Sequence, residues 1–303
     1  MVQKRSKVIE EVRLKDAFKG LNDLYEEWPK QSEYYANQQG PIDVKYLPRG
    51  VNRRQVDLAL CLWDIHSMMS ANLLTTCWRA EQLGRVLLRA LGENDLVVGA
   101  NLARSLMENA AAFLVEAVQV RSSWDKWMKE SKTFTPESAT EFRFNVIGKT
   151  LQFTLGTRNP EYLKEVTPEN VRTFTRTNVM TLLDKIDSDA YEEDLKSIYD
   201  YLCDAVHPNF GANEVFYTEM GVDSTGRHMR TLMSRDATGR SSLPTNIKQS
   251  AIWALEQLTA ELESQKSFCE HICRVFKLWC LGLDYFGIIR PKWFRSDSIL
   301  TVS

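Results

Sequence analysis

The sequence predicts an all-α fold: a multi-helix bundle that carries a small β-hairpin insertion and ends in a long C-terminal heptad helix. Three observations predict it. Glycine and proline are scarce, 14 and 9 in 303 residues, well below their usual combined share of roughly 12%, so the frequent turns of a β-sandwich or barrel are missing. Apolar residues recur at helical spacing in several long stretches. The last of these stretches also repeats every seven residues. With 44% hydrophobic residues and a net charge of −2, the chain has the apolar surface needed to offset the entropy of ordering.

The first helix is carried by Leu14, Ala17, Phe18, Leu21, Leu24, Tyr25 and Trp28, and Pro29 marks its end. Loop signals run from Lys30 to Gly50. From Val51 to Leu91 the pattern is helical again, and around Val56 to Met69 it is apolar almost all round, as in a helix buried on most sides. After Gly92, Glu93 and Asn94 a second long helix presents Leu102, Leu106, Ala110, Phe113, Leu114 and Ala117 on one face and Asn101, Ser105, Asn109 and Glu116 on another. Thr135-Pro136-Glu137 opens a helix through Phe142, Val146 and Leu151, with proline in the first turn, where its missing donor does no harm.

Gly156 to Thr177 reads as loop, followed by two short helices, Asn178 to Asp187 and Tyr191 to Val206. Val215 to Met220 and Met229 to Met233 form the hairpin, across Asp223-Ser224-Thr225-Gly226. Thr245 is the expected N-cap of the final helix. In that helix Leu255, Leu262, Cys269, Phe276 and Leu283 alternate with Ala251, Leu258, Gln265, Ile272 and Trp279 as an a/d seam broken only by Gln265. The seam is expected to close within a bundle or between two subunits, so residues 251–283 are the expected surface for a homo-oligomer or a partner protein. Residues 1–303 read as one helical domain, divided into an N-terminal helix and loop (1–50), a helical core (51–213), the hairpin insertion (214–244) and the long helix with its tail (245–303).

No stretch reaches the roughly 18 apolar residues of a membrane span, and acidic residues follow the basic N-terminus where a signal peptide would be apolar. The expected location is the cytoplasm. Six cysteines without a Cys-x-x-Cys pair are expected to be reduced and mostly buried.

Several chemistries are excluded by missing motifs. Gly-x-Gly-x-x-Gly, Gly-x-x-x-x-Gly-Lys-Ser/Thr and Gly-x-Ser-x-Gly do not occur, and no Glu-x-x-His supports a dimetal bundle. Neither a cofactor nor a metal is expected. One polar constellation remains. Arg104 and Glu108 lie one turn apart, in the weaker order for a helix ion pair, so local helix stabilisation explains them poorly. His207 precedes Pro208, which places the imidazole at a helix terminus, with Asn209 just beyond. If these residues converge, a titratable ring, a carboxylate and a cation share one pocket. They would be suited either to RNA cleavage by proton transfer and phosphate stabilisation or to pinning two helices by a buried hydrogen bond. The near-neutral balance confines nucleic-acid contact to local patches: Arg227, Arg230, Arg235 and Arg240 around the hairpin, and Lys292 and Arg295 in a tail interleaved with Trp293 and Phe294.

The segments Leu102-x-Arg104-x-x-x-Glu108 and Tyr199-x-x-Leu202-x-x-x-x-His207-Pro208-Asn209 resemble those of an uncharacterised family of bacterial all-helical proteins, distantly similar to the HEPN superfamily of RNases and toxins. The resemblance covers about the middle half of the chain. It implies a helical bundle, dimerisation and, in catalytic members, metal-independent RNA cleavage in toxin or anti-phage defence systems. Catalytic HEPN proteins carry Arg, four to six residues and then His, whereas Asp200, Tyr201 and Leu202 occupy the places before His207. Arg104 is the cation expected to stand in.

Overall fold

The computed structural model describes residues 2–27, 53–130, 137–138, 140–142, 145–146, 177–186, 195–207, 213, 216–222, 224–226, 229–233 and 242–276. The described chain is helical in all its long elements. α1 spans Val2–Glu27, α2 Arg53–Gly92, α3 Leu96–Glu130, α4 Val179–Leu183, α5 Leu195–Val206 and α6 Leu243–Phe276. Between α5 and α6, β1 (Tyr217–Val222) and β2 (Met229–Met233) pair antiparallel, with an irregularity in register between Tyr217 and Glu219. The expected loop at Lys30 to Gly50 and most of the expected loop from Gly156 to Thr177 lie outside the described residues.

α2 and α3 are joined by a three-residue link. Asn94 takes the left-handed conformation there, with φ 60°, which Asn tolerates better than most residues. The Asp95 carbonyl accepts from Gly99 N–H at 2.8 Å and so begins the next helix. α6 starts two residues earlier than its expected cap at Thr245. Ser242 is the residue whose carbonyl accepts from the N–H groups of Thr245 and Asn246, each at 3.0 Å. Pro244 then falls inside the first turn, where a missing donor disrupts nothing. α1 begins at Val2, well before Leu14, the first position of its expected apolar face.

The chain divides into two compact units. The first comprises Met1–Asp23, Trp78–Ala112 and Val179–Thr259. Its core includes Leu14, Leu21, Leu87, Leu106, Leu202, Leu243, Ile247, Leu255 and Leu258, all buried. α1 approaches α2 closely in this unit. A Cβ added at Gly84 would stand 2.7 and 2.8 Å from Cδ2 and Cε2 of Phe18, so the ring packs directly against glycine backbone. Arg13 reaches from α1 to Glu256 of α6 through two hydrogen bonds of 3.1 and 3.0 Å.

The second unit comprises Leu24–Cys77, Phe113–Asn178 and Ala260–Ser303. Its core joins Ile65, Leu73, Leu74 and Cys77 with Phe113, Val120, Leu262, Cys269 and Ile272. Trp127 stacks on Phe142 at 4.8 Å, and Trp124 meets Trp127, Phe142 and Phe268 edge-on at 5.6, 5.7 and 5.4 Å. Both arrangements suit the ring quadrupole. Phe142 and Val146, expected on a common helical face, are both buried.

The α6 seam is covered within a single chain. Ala251, Leu255, Leu258, Leu262, Cys269 and Ile272 are fully buried, and Gln265 nearly so. Of the two closures expected for the seam, these positions take the one within a chain. The side chains of Phe276, Trp279 and Leu283 lie outside the described residues. Among the described residues no helix is long and apolar enough to cross a membrane.

Candidate functional site

The constellation expected from the sequence lies in the first unit. α3 is anchored by Ala103, Leu106, Met107 and Ala110, which are fully buried, and this sets Arg104 and Glu108 at the margin of the core. The Arg104 side chain is 23% exposed and that of Glu108 17%, with Arg104 Nε and Glu108 Oε1 separated by 3.6 Å. That is an ion pair without a hydrogen bond. Among the described residues the buried Arg104 Nε has no hydrogen-bond acceptor, and Asn109 Nδ2, five residues on, is in the same state.

Glu108 is engaged from α5. The Tyr199 hydroxyl donates to Glu108 Oε1 at 2.8 Å, and Tyr199 itself is buried. Burial first, then the Glu108 carboxylate, then the Cys203 thiol one turn along, hold the Tyr199 hydroxyl well above its ordinary value near 10. A phenol held protonated is a donor, and this donor orients the carboxylate that faces Arg104.

His207 follows directly on α5. Its N–H donates to the Cys203 carbonyl at 3.0 Å, closing the last turn, and its ring is exposed. Eight residues separate it from Tyr199, about 12 Å along a helix axis. Arg104, Glu108 and Tyr199 are thus brought together, while His207 stands two turns away. It shares a stripe of α5 with Asp200 and Asp204, at i, i+4 and i+7, both exposed. Asn209, Arg227, Arg235, Arg240, Lys292 and Arg295 lie outside the described residues, as does the side chain of Arg230 on β2. Among the described residues no group of His, Cys, Asp or Glu has the arrangement of a metal site.

Tyr199 heads the second segment of the family resemblance but was not expected at the site. Its place on the apolar stripe with Leu195 and Leu202 gave it the signature of a core residue, and it is one by burial. A physical signal was the phenol in that stripe, since a buried tyrosine needs an acceptor for its hydroxyl.

Replacing Tyr199 by Phe is expected to cost about 2 kcal/mol, the usual worth of a hydrogen bond to a charged group. Because the folded-state value of Tyr199 is raised, its contribution is complete below the unfolded value near 10 and is lost as pH rises beyond it. Urea unfolding of parent and Tyr199→Phe at pH 7 to 11 is expected to show a gap that is constant to about pH 10 and narrows above it. A gap independent of pH would contradict this assignment.

Comparison of the chain with protein families, with curated proteins and with solved structures gives no match.

Proposed function

We propose that this chain is a HEPN-like, RNA-directed helical protein of the toxin or anti-phage type, working in the cytoplasm and cleaving RNA by proton transfer and phosphate stabilisation. The observation that carries the reading is the state of Arg104: a side chain only 23% exposed, faced by Glu108, whose Nε has no acceptor among the described residues. A phosphate oxygen is the natural partner of such a donor.

The Tyr199–Glu108 bond makes Glu108 a brace for Arg104, so it is not the proton carrier. That role falls to His207, the one histidine among the described residues of this unit with an exposed ring. Its imidazole takes the proton of the 2′-hydroxyl as the oxygen attacks the adjacent phosphorus, or gives one to the departing 5′-oxygen. Arg104 stabilises the charge on the pentacoordinate phosphate. RNA would lie along α5 to meet both groups, and the arginines around the hairpin insertion and the basic tail would hold its backbone.

The test is cleavage of a labelled single-stranded RNA in chelator. His207→Ala is expected to lower the rate by roughly 10²-fold or more while the helical signal and melting midpoint stay close to the parent. Absence of cleavage by the parent, or equal cleavage by His207→Ala, overturns the reading.

A second reading, a non-catalytic interaction or assembly protein, is favoured by Asp200 and Asp204, whose charge beside His207 opposes an approaching phosphate. In that case Glu108 and Tyr199 only pin α3 to α5. Any self-association uses surfaces other than the buried part of the α6 seam. Simple nucleic-acid binding without cleavage is separated from both by an affinity that falls steeply with salt.

A further inference from the structure

We draw no further inference here: the strongest candidate, the exposed apolar pair Ile9 and Val12, three residues apart on one face of α1, carries nothing because nothing in the structure shows what covers it.

Discussion

Leu262→Glu is expected to unfold the protein rather than change its assembly. Leu262 is fully buried in the α6 seam among groups of the same chain. A carboxylate placed there loses its hydration without gaining a partner, at a cost on the order of 5 kcal/mol or more. Typical total stabilities are about 5–15 kcal/mol, so the loss takes most or all of what a domain has. Leu262→Ala, which leaves a cavity but no charge, is expected to cost about 2–5 kcal/mol. Val118→Glu, at an exposed position of α3, is expected to stay within about 0.5 kcal/mol of the parent. Circular dichroism melts and light scattering on the three variants check this ordering. A folded Leu262→Glu protein of lower oligomeric mass would show instead that the seam is shared between subunits.

Glu108→Ala is expected to be the most damaging single change at the polar cluster. It strands Arg104, largely buried and with Nε already lacking an acceptor, and also removes the acceptor of the Tyr199 hydroxyl. Breaking such a pair from one side costs about 3–5 kcal/mol, since an uncompensated charge stays inside. Replacing both partners removes that charge, so Arg104→Met with Glu108→Met is expected to recover most of the loss despite altering two residues. Denaturant unfolding of Arg104→Met, Glu108→Met and the double variant gives the coupling directly. Additive losses would mean that Arg104 and Glu108 do not act as a pair, and would also remove the premise of a braced, phosphate-facing arginine.

The long helices were legible because their apolar periods are strong and uninterrupted. α2 ends and α3 begins within a few residues of where Leu91, Gly92 and Asn94 place the break. The start of α6 differs from its expected cap at Thr245 because Pro244 is harmless in a first turn and Ser242 provides the carbonyl that opens the helix. The site divides in a similar way. Arg104 and Glu108 are four residues apart on one helix, a relation that spacing reveals. Glu108 and Tyr199 are 91 residues apart, and nothing in either segment encodes that the two helix faces meet. His207 was correctly expected beside a helix terminus, but distance along α5 kept it from the carboxylate it was expected to join. Gln265 was visible as the one polar break in the seam.

The contact between Gly84 and Phe18 bears on how this sequence is free to drift. The two positions share one parcel of volume, filled from the α1 side by a ring and bordered by Leu255 of α6, so neither changes independently of the other. A side chain gained at position 84 requires volume given up at position 18, and the reverse order of substitution passes through a cavity rather than a clash. Cavities in cores are usually better tolerated than overlaps with no room to relax. The passable route between this pairing and its alternatives therefore runs through a smaller residue at 18 first, which makes the order of mutations, as well as their identity, a property of the fold.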